Sequence, residues 1–319
     1  MKEMIHRPFS ARPIAAIDLG SNALRAVIAR PVGKRLEILK EIRDPLRLGE
    51  DVFNEGHISG ARRELTEESF IRLLHLFAAY GVEDVCCLAT SAMRDAKNGQ
   101  ELIGDIRHAT GIEVETISGQ QEARLIFRAV ANEISLEKKR GLFMDIGGGS
   151  TELSIVMNGE LVASHSFNIG TVRLLKLQDQ QFLAATIAET VEGMRRFARS
   201  YLGARPPDVF VGTGGNLRRM GKIRRKILRK PSTECTYPEV AHMADTLFSM
   251  SFVERIRRLE LDQNRADVIL PATMLTREVM KSFDLKKVLL PRVGLKEGIL
   301  LSMLDPDARW KIVRPKLSP

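Results

Sequence analysis

The sequence has 319 residues, of which 44% are hydrophobic and 5% aromatic, so it is long enough for two domains with mainly aliphatic cores. The longest apolar stretches fall short of the roughly 20 residues of a membrane span, and the N-terminus lacks the apolar core of a signal peptide, so we expect a cytoplasmic location. The three cysteines lack metal-ligand spacing, and we expect them to be reduced thiols. The formal net charge of +9 favours an anionic partner, and on charge alone nucleic acid, a membrane surface and polyphosphate all stay open.

In the first half of the chain, apolar alternation predicts strands, and apolar residues at helical spacing predict helices. The predicted strands cover residues 14–18, 23–30, 36–43, 82–89 and 112–117. The predicted helices run from about residue 65 to Gly81, from 100 to Gly111, and from a capping box at 118–121 to about 132.

The second half repeats this plan. Its predicted strands cover residues 141–146, 152–157, 161–168, 208–211 and 288–290, and its predicted helices cover 180–202, 216–230, 237–249, 252–259, 266–283 and 295–304. Strand hairpins followed by helices, twice over, predict two mixed-sheet α/β domains with a cleft between them.

Two segments of the sequence share one motif. Residues 16–22 and 143–152 each contain an apolar run, an Asp (Asp18 or Asp145), an aliphatic residue and a turn of small residues, and each is followed by renewed apolar alternation. A turn without bulky side chains lets backbone N–H groups close on an anion, and Asp is a hard oxygen ligand for a divalent cation. The pair therefore predicts phosphoryl chemistry.

Three further features suit that chemistry, although each also has an ordinary structural explanation. Glu122 in a helix first turn is either a base or a residue that stabilises the helix dipole, and Arg94 after a buried strand is either a phosphate ligand or a surface residue. The glycine turn at 212–215 opens a segment, 218–230, with eight cations and no acid, which is either a polyanion site or a solvated helix face. The six histidines are scattered, and we assign them no role.

Several motifs occur in an order that resembles the exopolyphosphatase/guanosine pentaphosphate phosphohydrolase (Ppx/GppA) family, in its short two-domain form. They lie at residues 18–22, 89–96, 117–125, 145–152, 212–215, 265–271 and 294–298. The resemblance covers about residues 13–304. It implies two actin-like (ASKHA, ribonuclease H-like) α/β domains, one of residues 13–132 completed by the C-terminal helix 295–305, and a second of residues 133–294.

The resemblance also implies Mg²⁺- or Mn²⁺-dependent release of a terminal orthophosphate, with roles for residues that match the family motifs. Glu122, Glu152 and Arg94 match catalytic positions, and Asp145 and Glu152 would hold the metal. The phosphate-binding set would be Asp18, Ser21, Asn22, Gly147, Gly148, Gly149, Ser150, Thr151, Gly214 and Gly215. We expect a track for the polyanion along Arg218, Arg219, Lys222, Arg224, Arg225 and Lys226.

The chain departs from the family pattern at Ala23 and Gln121, and from its length we expect it to lack the extra C-terminal helical domains of the long members. Inorganic polyphosphate is the expected substrate, with guanosine pentaphosphate as the alternative, and we expect neither a membrane partner nor a specific nucleic acid. A kinase of the actin-like superfamily, a catalytically idle polyphosphate or alarmone sensor, and a homodimeric assembly all stay open.

Overall fold

The first sheet begins with an antiparallel meander of β1 (Ile14–Leu19), β2 (Leu24–Val32) and β3 (Arg35–Asp44). In this computed structural model, which describes residues 12–314 apart from 34, 178, 306, 308 and 309, β4 (Asp84–Ala89) runs parallel to β1, and β5 (Val114–Thr116) runs parallel to β4. The helices of this half are α1 (Leu48–Glu55), α2 (Gly60–Tyr80), α3 (Ser91–Asp95), α4 (Gly99–Thr110) and α5 (Gly119–Ala131).

The second sheet repeats that succession of strands. Its meander consists of β6 (Arg140–Ile146), β7 (Thr151–Met157) and β8 (Glu160–Phe167), and β9 (Val209–Thr213) runs parallel to β6. The short strands β10 (Glu234–Thr236) and β11 (Lys287–Leu289) complete it, while β12 (Ile312–Val313) returns to β4 of the first sheet. The helices are α6 (Thr171–Leu174), α7 (Gln180–Leu202), α8 (Gly215–Leu228), α9 (Tyr237–Ser249), α10 (Phe252–Leu259), α11 (Gln263–Ala266), α12 (Ile269–Ser282) and α13 (Leu295–Met303).

The strand orders β3-β2-β1-β4-β5 and β8-β7-β6-β9-β11 are the same plan used twice, and this confirms the predicted fold of two actin-like α/β domains with mixed sheets. Six elements were not predicted: α1, α3, α6, α11, β10 and β12. Apart from α1, these have two to five residues, which is too short for a hydrophobic period to emerge. The helix predicted at 266–283 is broken, because the Asp267 side chain accepts a hydrogen bond from the Val268 N–H, and the helix restarts at Ile269.

One apolar core lies between the two sheets. Helices α5 and α13 pack against each other, and their side chains contact residues of both sheets, including Ala16 and Val27 of the first and Phe143 and Val211 of the second. The two sheets are thus joined through a shared hydrophobic layer rather than through a linker alone.

Among the described helices, none combines the length and the apolar character needed to cross a bilayer.

The contact between α5 and α13 depends on Gly298, since a Cβ at this position would lie 2.1 Å from the Leu125 carbonyl oxygen. We expect Gly298→Ala to lower the free energy of unfolding by ~1–3 kcal/mol, as overpacking does. The matched control is Gly104→Ala in α4, where an added Cβ would meet no atom within 4 Å and should stabilise the helix by up to ~1 kcal/mol. Urea unfolding of both variants measures the difference, and equal effects of the two would contradict the close approach.

Candidate active site

Two glycine-containing turns, one from each sheet, face each other across the cleft. The first turn joins β1 to β2, the second joins β6 to β7, and a Cβ on Gly148 would lie 2.9 Å from the Cβ of Ser21. The cleft between them opens to solvent. The duplicated segments recognised in the sequence therefore come together in space.

Most of the predicted phosphate-binding residues line this cleft. They are Asp18, Ser21, Asn22, Gly147, Gly148, Ser150, Gly214 and Gly215, together with Glu122, Asp145 and Arg218. Thr151 is different, because it is fully buried and its hydroxyl donates to the Ile169 carbonyl. Gly149 is not among the lining residues. Its carbonyl accepts a hydrogen bond from the Arg173 side chain, which helps to hold the second turn in place.

A cluster of carboxylates lies at the cleft, where Glu122 and Asp145 are lining residues and Glu152 is buried beside them. Glu122, Asp145 and Glu152 each place an oxygen within 4.8 Å of the others. The Oε1 atom of Glu152 accepts hydrogen bonds from Ser150 at 2.7 Å and Ser166 at 2.8 Å, and Asp145 accepts one from Thr213. The Oε2 atoms of Glu122 and Glu152 are buried without a hydrogen-bond partner among the described residues.

Burial of like charges governs the electrostatics of this cluster. Desolvation, followed by repulsion from Glu152 and Asp145, raises the pKa of Glu122 well above its usual range. Desolvation and the charge of Asp145 raise the pKa of Glu152 to about 7, and desolvation raises the pKa of Asp145 to about 6. Three hard oxygen donors with two unpartnered atoms fit a divalent cation, which would relieve this repulsion.

Arg94 reaches the cluster from α3. Its guanidinium donates to the Ile117 carbonyl and lies 3.7 Å from Glu122 Oε2, where its charge lowers the pKa of Glu122 against the larger effects of burial and repulsion. Arg94 is not among the residues that line the cleft. Its contact in this structure is therefore with Glu122.

The cleft also contains cations to which the sequence reading gave no role. Arg25 bonds Asp18 at 3.0 Å, and these two residues are cross-strand partners in the first hairpin. This pair could have been predicted from the hairpin, because Asp18 and Arg25 are equally far from the turn and therefore face each other across the two strands. Arg265 donates to Asn216 at 3.0 Å, and burial followed by repulsion from Arg25 lowers its pKa to about 8.

The basic segment is divided between the surface and the core. Lys222, Arg225 and Lys226 are exposed on α8, although Lys226 forms an ion pair with Glu260. Arg218 lines the cleft, and Arg219 lies 3.8 Å from Asp262.

Arg224 does not share the exposed face of this segment. It is only 5% exposed, and its Nε and Nη2 atoms bond the Glu239 carboxylate at 2.9 and 3.1 Å. The inclusion of Arg224 in a polyanion track is therefore corrected, because a buried, doubly bonded guanidinium has a structural role.

Comparison with known proteins shows similarity over nearly the whole chain. The sequence model of the Ppx/GppA phosphatase family matches residues 27–307. "Exopolyphosphatase 1" of Mycobacterium tuberculosis is 25% identical over 313 residues, covering 92% of this chain and 89% of that protein. An exopolyphosphatase structure from Cytophaga hutchinsonii superposes with a TM-score of 0.85 at 25% identity, covering 92% of this chain and 98% of that one. A Ppx/GppA family member from Aquifex aeolicus superposes with a TM-score of 0.77 at 26% identity, covering 92% and 97%.

The carboxylate cluster predicts a distinctive effect of Glu152→Gln on stability. The raised pKa of Glu152, about 7 against an ordinary 4.5, means that its contribution to stability is present below pH 4.5 and is lost as the pH rises through 7. We expect Glu152→Gln to raise the Tm of the metal-free protein at pH 8 by at least ~2 °C, with the difference vanishing near pH 4.

The same variant tests the cation site. Mg²⁺ should raise the Tm of the wild-type protein and should raise that of Glu152→Gln much less, because one ligand has lost its charge. Glu189→Gln, at an exposed position of α7, is the matched control and should match the wild type in both measurements. Equal Mg²⁺ shifts in all three proteins would show that the cluster does not bind the ion.

Proposed function

This chain belongs to the Ppx/GppA phosphatase family, and we propose that it is a phosphohydrolase that releases the terminal orthophosphate of inorganic polyphosphate in the cleft between its two domains. The observation that carries the proposal is the position of the Glu122, Asp145 and Glu152 cluster beside two amide-rich turns. A site that only bound phosphate would gain nothing from acids buried next to its anionic ligand, whereas hydrolysis needs a proton acceptor and a cation site there.

Glu122 is the residue best suited to accept the proton from the attacking water. Its Oε2 atom is buried and has no hydrogen-bond partner among the described residues, so it is available to a bound water. Burial and repulsion from Glu152 raise its pKa and so increase its proton affinity, while Arg94 at 3.7 Å favours the ionised form. We therefore assign Glu122 the proton transfer, and Arg94 the role of setting its charge.

Asp145 and Glu152 are the residues that would hold Mg²⁺ or Mn²⁺ in this proposal, with Glu122 nearby. Such an ion, when bound, polarises phosphate oxygens and neutralises charge on the transferring phosphoryl group. The backbone N–H groups of the two turns, together with Arg25, also line the cleft and would supply fixed positive potential there. The chain thus offers both a cradle for the phosphoryl group and an acceptor for the water proton.

The reaction is tested by measuring orthophosphate release from tripolyphosphate, long polyphosphate and guanosine pentaphosphate side by side, with Mg²⁺, Mn²⁺ or a chelator. Release from polyphosphate that depends on the metal supports the proposal. A strong preference for guanosine pentaphosphate would reassign the substrate, and binding of polyphosphate without turnover on any of the three would identify a sensor.

Glu122→Gln should reduce kcat by ~10²–10⁴ because the amide keeps the shape of the side chain but cannot accept a proton. Polyphosphate binding, measured by calorimetry, should stay within about threefold of the wild type because the neutral variant also removes repulsion. Glu189→Gln again serves as the control. Retention of more than about a tenth of the wild-type kcat would remove Glu122 from the role of base.

The exposed cations of α8 should bind the polymer beyond its reacting end. Their contacts strengthen the ground state and the transition state together, so Lys222→Gln combined with Arg225→Gln should raise KM for long polyphosphate and leave kcat nearly unchanged. Tripolyphosphate should be unaffected because it ends before these residues, and the affinity of the wild type for long chains should fall steeply with salt.

The control for charge is a second pair of exposed arginines, Arg196 and Arg199 of α7, changed to Gln in the same way. This pair lowers the net charge equally but lies on a different helix. An equal rise in KM for the two double variants, or for tripolyphosphate and long polymer, would show that the effect comes from net charge or stability rather than from a binding track.

A further inference from the structure

The first phosphate-binding turn is held from behind by the segment that follows β3. The Arg47 N–H donates to the Asn22 carbonyl at 3.2 Å, and the Gly49 N–H donates to the Ser21 carbonyl at 2.8 Å. Arg47 adopts a left-handed conformation with a φ of 53°, which few residues other than glycine accept. Two N–H groups of this segment thus hold carbonyls of the turn, and the segment passes through an unusual backbone conformation at Arg47.

The second turn is held in the same manner by the segment that follows β8. The Thr171 N–H donates to the Gly147 carbonyl at 3.1 Å, and the Val172 N–H donates to the Gly148 carbonyl at 2.8 Å. The Arg173 side chain adds a bond from Nε to the Gly149 carbonyl at 2.9 Å. The two halves of the molecule therefore repeat the bracing segments as well as the turns.

In both segments an arginine reaches across to the other half of the molecule. Arg47 donates to Asp267, between α11 and α12, at 2.6 Å, and to the Asn264 side chain at 3.4 Å. Arg173 donates to Asp95 at the end of α3 at 2.7 Å, and its guanidinium lies 4.0 Å above the centre of the Phe53 ring. Each arginine thus connects the turn of its own half to an aspartate of the opposite half.

We propose that Arg47 and Arg173 are a pair of positioning residues that set the geometry of the phosphate-binding turns and the closure of the cleft together. Opening the cleft breaks the bonds to Asp267 and Asp95, and it also frees the segments that brace the turns. The side chains of Arg47 and Asp267 are only 13% and 20% exposed, so salt screens this ion pair less than a surface pair. The part of the proposal that concerns KM rests on the function proposed above.

Three matched substitutions test this inference, each replacing Asp with the isosteric Asn. Asp267→Asn and Asp95→Asn weaken the two cross-cleft bonds, while Asp105→Asn weakens the Arg63 ion pair, which lies within the first half of the molecule. Asn at 267 can still accept the bond from the Val268 N–H, so the local helix start is kept.

Hydrogen exchange of peptides covering the turns at 20–23 and 147–150 measures opening without reference to any reaction. We expect exchange to rise about threefold in each cross-cleft variant and about tenfold in the double variant, since separate contacts multiply their effects on one opening equilibrium. Asp105→Asn should leave both peptides at the wild-type rate, although it weakens an ion pair of the same kind.

The kinetic test compares the change in KM with the change in kcat. Both cross-cleft variants should raise KM for tripolyphosphate about threefold with kcat within twofold, because substrate must then supply the closure energy. Unchanged exchange in both variants, or equal changes in Asp105→Asn, would overturn the proposal. Faster exchange in a protein that hydrolyses none of the phosphate substrates would support the closure role and refute the proposed function instead.

Discussion

Mutual repulsion among buried carboxylates is the constraint on which the active cleft depends. Glu122, Asp145 and Glu152 come from three different elements and lie close together, with Glu122 and Glu152 buried and Asp145 half-buried. Serine and threonine hydroxyls offset part of that cost, and Arg94 offsets a little more. What remains unbalanced raises the pKa of these acids, and in the proposed function the same repulsion would favour a divalent cation between them.

The two halves of the molecule share a plan but differ in charge at one equivalent pair of positions. In the first hairpin, Asp18 faces Arg25 across the strands, and in the second, Asp145 faces Glu152. The first hairpin therefore carries a neutralised acid, whereas the second concentrates negative charge. The repeated backbone thus carries a salt bridge in one half and two acids at the equivalent positions of the other half.

The features that could be predicted from the sequence are those whose structure is determined by residues close together along the chain. The turns after Asp18 and Asp145 are formed by adjacent residues, and the helix carrying Glu122 begins at a capping box that the structure contains. Arg224 could not be placed correctly because its partner Glu239 belongs to the next helix, and nothing in a run of basic residues marks the one that turns inward. The cross-cleft bonds of Arg47 and Arg173 join residues 220 and 78 positions apart, a separation at which sequence spacing carries no information.

The apolar layer formed by α5 and α13 has a mechanical consequence. Since these helices pack against both sheets, a rotation of one sheet relative to the other that keeps this layer packed would turn about an axis close to them. Residues near such an axis have a short lever arm, and Glu122 lies in the first turn of α5. The outer rims of the cleft would sweep through long arcs while this carboxylate hardly moves, so in the proposed reaction an extended anion could enter and leave without displacing the proton acceptor.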